Sequence, residues 1–362
     1  MKRIFAGMAA ALLAAVLFFP CKVSAISAKS AVLLDAQSGR ILYERCKNDR
    51  SLIASTTKIM TALIVCEQCN VLDRMVIPKE AVGVEGSSMY LREGEVLTVQ
   101  ELLYGMMLCS GNDAATALAI YCGGTVEGFA ELMNDKARKL GMVDTHFVNP
   151  HGLDSVDHYS TAYDLAVLAS YAMENPIFQK TVSAKSLKVG ERYLSNHNKL
   201  LWRLEGVDGV KTGFTKAAGR ILVSSATRDD RRLIAVTINA PDDWNDHITM
   251  LESGFRDFRL KTIVDQGETL NSLGVISGAF ETVDLVAADG FSYPLRDNEE
   301  ITVRLPVKEF VYAPISEGNF AGYAYMCLED EVVGKIPLVY SISVDEKKFS
   351  KKSLWQQLFG DS

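Results

Sequence analysis

Ile53-Ala54-Ser55-Thr56-Thr57-Lys58-Ile59-Met60 places a hydroxyl three residues ahead of an amine at what reads as the start of a helix. On a helix, positions i and i+3 are surface neighbours, so the Ser55 and Lys58 side chains stand side by side. An amine beside a hydroxyl can take its proton. Ser55 is therefore a candidate nucleophile and Lys58 its base, provided desolvation or a nearby cation keeps the lysine neutral. Beyond Lys58, Ile59, Met60, Leu63 and Ile64 recur at helical spacing, so the helix is expected inside the core, where a lysine loses its charge most easily. Alone the pair is weak, because average composition yields about one or two Ser-x-x-Lys pairs in a chain this long.

The chain has 362 residues, 48% hydrophobic and 23% charged, which excludes disorder and fits two domains. Residues 1–25 stand apart: Lys2 and Arg3, the apolar run Ile4 to Phe19, then Val23-Ser24-Ala25 as a small-residue cleavage site. This reads as a secretory signal peptide, since the apolar run is short of the roughly twenty residues a membrane span needs. An exported chain starting near Ile26 is expected. Loss of Lys2, Arg3 and Lys22 takes the formal charge from −7 to −10, which argues against nucleic acid as a partner. Six cysteines remain: Cys46, Cys66, Cys69, Cys109, Cys122 and Cys327. Cys66-x-x-Cys69 has no second Cys or Cys-His pair at zinc-like spacing, so buried or free thiols are expected; disulfides fit an exported protein, but sequence does not give their connectivity.

Outward from the opening stretch, Ala31-Val32-Leu33-Leu34, a turn at Gly39 and Ile41-Leu42-Tyr43 predict a β-hairpin. Residues 79–97, with Gly83, Gly86 and Gly94, read as a loop, and Thr98 with Glu101 forms a capping box that opens a helix carrying Leu102, Leu103, Met106 and Met107. That helix stops at Cys109-Ser110-Gly111-Asn112 and another runs from Asp113 through Ala119, which puts Ser110 and Asn112 on a short turn between packed helices. Further helices are expected over residues 129–140, 162–173 (capped by Ser160) and 246–258, with short strands and polar turns over 180–207, including Asn196-His197-Asn198. Gly209-Val210-Lys211-Thr212-Gly213-Phe214-Thr215, Ile221 to Ala226 and Leu233 to Ile238 read as three successive strands of an antiparallel sheet. Residues 262–345 read as a small all-β module without a catalytic motif. The tail, residues 346–362, combines Lys347, Lys348, Lys351 and Lys352 with Leu354, Trp355, Leu358 and Phe359. It reads equally as a basic amphipathic helix on a membrane surface and as a solvated terminus.

Lys-Thr-Gly is expected by chance in about one such chain in ten. Its combination with the other two motifs, Ser55 to Ser110 over 55 residues and Ser110 to Lys211 over 101, is the strong signal. Ser-x-x-Lys, Ser-Asp-Asn and Lys-Thr-Gly together mark penicillin-binding proteins and class A β-lactamases, and this chain has Ser-Gly-Asn in the middle. Ala54-Ser55-Thr56-Thr57-Lys58, Ser110-Gly111-Asn112-Asp113-Ala114-Ala115, Asn149-Pro150-His151-Gly152-Leu153 and Gly209-Val210-Lys211-Thr212-Gly213 resemble the low-molecular-mass serine D-Ala-D-Ala carboxypeptidases of peptidoglycan metabolism, over nearly the whole chain. The resemblance implies a penicillin-recognising, β-lactamase-like α/β catalytic domain, an antiparallel sheet flanked by helices, over residues 26–261. It also implies a small β domain after it, a basic tail near the membrane, peptidoglycan stem peptides as substrate, β-lactams as inhibitors, and no cofactor or metal.

In that reading Ser55 attacks the carbonyl between two terminal D-alanines, and Lys58 takes its proton, kept neutral in part by Lys211. The backbone N–H groups of Ser55 and Phe214 hold the oxyanion, Ser110 relays the proton to the leaving amine, and Asn112 holds the substrate amide. Lys211 and Thr212 bind the terminal carboxylate, and Gly213 lets the substrate backbone lie flat against the strand. A β-lactamase shares these parts but needs a deacylating glutamate, and Val143 to Asp157 contains none. No Gly-x-Ser-x-Gly supports a Ser-His-Asp hydrolase; His146, His151, His158, His197 and His247 are expected to be structural. An inert binder of stem peptides is disfavoured because every catalytic position is filled.

Overall fold

The computed structural model describes residues 26–305 and 309–347. The expected signal peptide, and all of the basic tail beyond Lys347, lie outside the described residues. The chain divides into two compact units between Gly254 and Phe255.

In the first unit, β1 (Ser30–Asp35) and β2 (Ile41–Arg45) form the expected hairpin. A single 3-10 turn, Ala54–Thr57, leads into α1 (Lys58–Gln68). The stretch that reads as a loop contains half of a small hairpin, β3 (Arg74–Val76) with β4 (Val96–Thr98), too short to show a period-2 pattern. Thr98 and Glu101 make the full capping box of α2 (Val99–Leu108). Then come α3 (Asn112–Gly123), α4 (Val126–Lys139) and α5 (Ala162–Ala172). The cap of α5 is Thr161 rather than Ser160: its hydroxyl accepts from the Asp164 N–H, while Ser160 bonds through its backbone to Ser51. α6 (Pro176–Ser183), started by the Asn175 side chain and Pro176 at its first position, runs into the stretch from residue 180 read as strands and turns; the hairpin β5 (Ser186–Val189) and β6 (Arg192–Ser195) follows as expected there, then the helical turn α7 (Leu200–Arg203).

The long strands β7 (Val207–Thr215), β8 (Gly219–Arg228) and β9 (Arg231–Ile238) complete a five-stranded antiparallel sheet in the order β2-β1-β9-β8-β7, leaving β7 at an edge. Both faces are covered, so β1 is buried throughout instead of alternating. Val32, Leu34, Val223, Ile234 and Val236 face the helical core with α1 to α6. On the other face α8 (Asp243–Asp257) lies so close that a Cβ on Gly254 would stand 2.7 Å from Leu33 Cδ2 and 2.8 Å from Leu233 Cδ1. His247 of α8, fully buried, is 2.5 Å from Ser224 Oγ and 2.9 Å from Thr237 Oγ1, so both ring nitrogens are satisfied against the sheet.

From Arg259 onward the described residues of the second unit form β-strands and their connections. β10 (Arg259–Val264) pairs with β13 (Phe291–Leu295), so the expected boundary at 261/262 falls within a strand. β11 (Thr269–Ile276), β12 (Thr282–Ala287), β14 (Ile301–Arg304), β15 (Phe310–Tyr312), β16 (Phe320–Leu328) and β17 (Glu331–Tyr340) form a sheet in the order β14-β16-β17-β12-β11-β15. Leu273, Val283, Leu285, Met326, Ile336 and Leu338 fill its core.

Candidate active site

Ser55 sits on the 3-10 turn ahead of α1, not on its first helical turn. Ala54 takes a left-handed φ of +45°, and the Thr56 and Thr57 hydroxyls donate back to the Ile53 and Ala54 carbonyls at 2.6 and 2.8 Å. A non-glycine residue in that region stores strain, which the surrounding contacts must hold in place. One such contact is Gly152, at φ +90°: a Cβ there would stand 1.8 Å from the Ala54 carbonyl oxygen. The loop carrying Gly152 is organised by Asn149, whose Oδ1 accepts from the Gly152 N–H at 2.7 Å and whose Nδ2 donates to the Leu153 carbonyl at 2.9 Å.

Lys58, the first residue of α1, is completely buried. Its Nζ is 2.6 Å from Asn112 Oδ1, 2.7 Å from the His151 carbonyl oxygen and 3.0 Å from Ser55 Oγ. The orientation of the Asn112 amide follows from its other end, where Nδ2 donates to the Glu85 carbonyl at 2.5 Å. Two of the three neighbours of Nζ can only accept, and they use two N–H bonds. The third is a hydroxyl that can donate. A neutral amine has two N–H donors and one lone pair, so this environment suits –NH2 with its lone pair on Ser55. Burial, the larger cause, and repulsion from Lys211 push the Lys58 amine well below its usual range; Asp113 and Cys109 oppose the shift.

Asn112 begins α3 rather than lying on the turn before it. With Oδ1 on Lys58 and Nδ2 on Glu85, both ends of its amide have protein partners. Its neighbour Asp113 is buried and accepts from the Ser88 hydroxyl at 2.6 Å and from the backbone N–H groups of Met89 and Leu91. This carboxylate ties the loop of residues 87–91 to the head of α3 and brings Ser87 to the site. Ser110 is at φ +65° and nearly buried between α2 and α3. The Cys109 thiol beside it donates to the Gly105 carbonyl at 3.0 Å, closing the end of α2.

The third wall is edge strand β7. Lys211 is buried, its Nζ 3.0 Å from the Thr212 carbonyl oxygen, and desolvation lowers its amine to about 8. A Cβ on Gly213 would lie 3.2 Å from the Ile53 carbonyl oxygen and 3.3 Å from the Ser55 nitrogen. The bare glycine thus lets β7 close on the turn that carries Ser55.

A cleft of about 340 Å³ opens between these elements, lined by Ser55, Ser110, Thr212, Gly213 and Phe214, with Lys58, Asn112 and Lys211 buried beside it. The structure therefore brings every residue named from the motifs to one place. The motifs did not reveal the rest of the lining: Ser87, His197, Lys199, Arg220, Asp243 and Trp244. His197 is set by Asn196 and Asn198, whose amides donate to the Val182 and Gly209 carbonyls, and burial, then Lys211, lower its ring below the usual imidazole range. Arg220, opposite Phe214 across the β7–β8 ladder, bonds Asp243 at 2.6 Å at the start of α8. That cross-strand position could have been derived from the short turn at residues 216–218; nothing local to Ser87 or Trp244 announces them. Of the other histidines, His158 accepts or donates at Thr57 Oγ1 (2.7 Å) and His151 contributes its carbonyl to Lys58.

Residues 19–242 match the family model described as D-alanyl-D-alanine carboxypeptidase, and residues 258–346 that of the C-terminal domain of penicillin-binding protein 5. The chain is similar to D-alanyl-D-alanine carboxypeptidase DacF of Bacillus subtilis, 32% identical over 350 residues that cover 92% of this chain and 90% of the relative. It is likewise similar to D-alanyl-D-alanine carboxypeptidase DacD of Escherichia coli, 35% identical over 349 residues covering 91% and 90%. Among solved structures it resembles penicillin binding protein 5 from Haemophilus influenzae, with a TM-score of 0.77, 30% identity, and coverage of 89% of this chain and 98% of the other.

Proposed function

The chain belongs to the D-alanyl-D-alanine carboxypeptidase family of serine peptidases, and from that premise we propose that Ser55 is its acyl carrier, Lys58 its general base and the cleft beside them the seat of a D-Ala-D-Ala terminus. The protein is a serine-type D-Ala-D-Ala carboxypeptidase acting on the cell wall. The observation that carries the residue assignment is the set of three partners around Lys58 Nζ, which fits a neutral amine aimed at the Ser55 hydroxyl.

The steps follow from that geometry. Ser55 Oγ attacks the carbonyl between the two terminal D-alanines while its proton passes to Lys58 Nζ. The oxyanion forms between the Ser55 and Phe214 backbone N–H groups, which the close approach of Gly213 brings together. Ser110 relays the proton to the departing D-alanine amine. Lys211 and Thr212 attract the terminal carboxylate, and Arg220, fixed by Asp243, adds a second cation at the same wall. Water then releases the shortened stem peptide from Ser55. β-Lactams acylate the same oxygen, and without a glutamate in residues 143–157 the penicilloyl ester should be long-lived.

Catalysis is assigned to the unit ending at Gly254. We further assign residues 1–25 to export and the tail to the membrane face, because the substrate lies outside the cytoplasm. The test is release of D-alanine from a pentapeptide ending in D-Ala-D-Ala. Wild type should release it and Ser55→Ala should not; a wild-type enzyme without release, or a Ser55→Ala enzyme with it, overturns the assignment. For the tail, deletion of residues 346–362 should move the exported protein from the membrane to the soluble fraction, and unchanged sedimentation would refute the anchor.

A further inference from the structure

Helices α1 and α3 run side by side in the same direction. Near their N-terminal ends Lys58 Nζ meets Asn112 Oδ1. Cys69, at the end of α1, lies eleven residues beyond Lys58, and Cys122, in the last turn of α3, ten beyond Asn112. At about 1.5 Å of rise per residue the two cysteines reach the same height. Contacts on either side lock these ends together: Gln68 Oε1 is 3.7 Å from Cys122 Sγ, and the Tyr121 hydroxyl donates to Asp73 at 3.0 Å. Cys69 and Cys122 are two free, half-buried thiols at the ends of these two helices, between those contacts.

We propose that Cys69 and Cys122 are oxidised to a disulfide in the exported protein, which staples the helix that follows Ser55 and bears Lys58 to the helix that holds Asn112 against Lys58. The remaining cysteines are placed differently. Cys66 is buried one turn up α1 with its thiol pushed up to about 12 by burial, and Cys109 is bonded to its own helix end. Cys46 is exposed, and Cys327 is buried in the second unit.

The oxidant is a small-molecule or protein disulfide of the exported compartment. The two thiols push each other apart in acidity, Cys69 below its usual range and Cys122 above it, so Cys69 thiolate attacks one oxidant sulfur, forming a mixed disulfide and expelling the first thiolate. Cys122 thiolate then attacks Cys69 Sγ and expels the second. Two thiols lose two electrons and two protons, and the oxidant becomes two thiols. The inference rests on the export reading, since a reducing cytosol would keep both thiols reduced.

The test uses the full-length chain, recovered without reductant, denatured in iodoacetamide and weighed intact. Of the six cysteines expected after residue 25, four should be alkylated before reduction and six after it. Cys66→Ala should keep the bridge, whereas Cys69→Ser and Cys122→Ser should each leave every remaining cysteine alkylated. Reductant should lower the temperature at which Ser55 loses fluorescent-penicillin labelling by roughly 5–15 °C in wild type and not in Cys122→Ser, because the bridge closes a long loop. A Cys122→Ser protein that keeps a bridge points to Cys66–Cys69 and overturns the proposal. A protein retained in the cytosol with residues 1–25 attached refutes export instead. The cysteine pair is then judged by incubating that purified protein with oxidised glutathione: closure of Cys69 to Cys122 supports it, and six free thiols overturn it.

Discussion

Lys58→Arg separates the base reading from a merely structural one. The Lys58 amine can accept the Ser55 proton only because burial and Lys211 remove its own. A guanidinium keeps its proton at any pH a protein survives, has no lone pair to offer, and still donates to the two acceptors that Lys58 satisfies, Asn112 Oδ1 and the His151 carbonyl. The substitution thus deletes the proton acceptor while retaining donors for the buried acceptors. A positioned base contributes roughly 10²–10⁴-fold, or about 3–5 kcal/mol of barrier. Because the arginine also brings an obligatory charge into a fully buried site, the upper part of that range is expected. The assay is stopped-time labelling of Ser55 by a fluorescent penicillin at pH 7.5, with a thermal melt and far-ultraviolet circular dichroism on the same sample. Lys58→Gln, shorter and uncharged, is the companion should the arginine enzyme fail to fold. A folded Lys58→Arg or Lys58→Gln enzyme that labels within about tenfold of wild type would refute the reasoning.

Lys211, lowered to about 8, is mostly charged at neutral pH and loses its proton above that value, so kcat/KM for the D-Ala-D-Ala peptide should fall about tenfold per unit from pH 8.5 to 9.5; a flat alkaline limb would remove Lys211 from carboxylate binding. His158 and His247, held neutral by burial to about 4 and about 3, bind a proton in the unfolded chain near pH 6.5 but not in the folded one. The stability they support is therefore complete above about pH 6.5 and is lost as pH falls towards 4, by up to about 1.4 kcal/mol per histidine per pH unit, and chemical denaturation at pH 7 and pH 5 measures it. Asp113→Ala should free the loop of residues 87–91, lowering stability by about 2–4 kcal/mol and labelling at least tenfold, since four backbone or hydroxyl donors lose their buried acceptor; a denaturation midpoint unchanged from wild type would contradict it. Gly152→Ala should cut Ser55 labelling more than a hundredfold or prevent folding, because its Cβ would occupy the Ala54 carbonyl.

What the sequence reveals here is set by how local each signal is. The capping box at Thr98 and Glu101 and the apolar runs of β8 and β9 are written in consecutive residues, and the structure forms them where they are written. Asn175-Pro176 was legible as a cap followed by proline at the first helical position, yet the polar residues after it masked α6. The roles of Asn112 and Gly213 were not legible, because both depend on what packs against them: the Glu85 carbonyl on one side, the turn at residues 53–55 on the other. The same holds for His197, which reaches the cleft through contacts between distant segments, whereas the place of Arg220 opposite Phe214 follows from the short turn between β7 and β8.

The two buried lysines explain why the site needs three separate elements. Both lose solvation, and desolvation alone would push both amines down without dividing their labour. The division comes from asymmetry: Lys58 carries the additional repulsion of Lys211, whereas the lowering of Lys211 is left to burial alone. The nearest counter-charge, Asp113, could cancel this by drawing a proton onto Lys58, but its oxygens are committed to Ser88, Met89, Leu91 and Ala114. Asn112 then supplies a neutral acceptor at the place where a carboxylate would restore the charge of the base. An aspartate at position 112 would offer the same oxygen to Lys58 and hold it as an ammonium. The amide in Ser-Gly-Asn thus matters for its neutrality as much as for its hydrogen bonds, and Asn112→Asp should abolish acylation and also lower the melting temperature, because the new carboxylate oxygen would face the Glu85 carbonyl where the amide now donates.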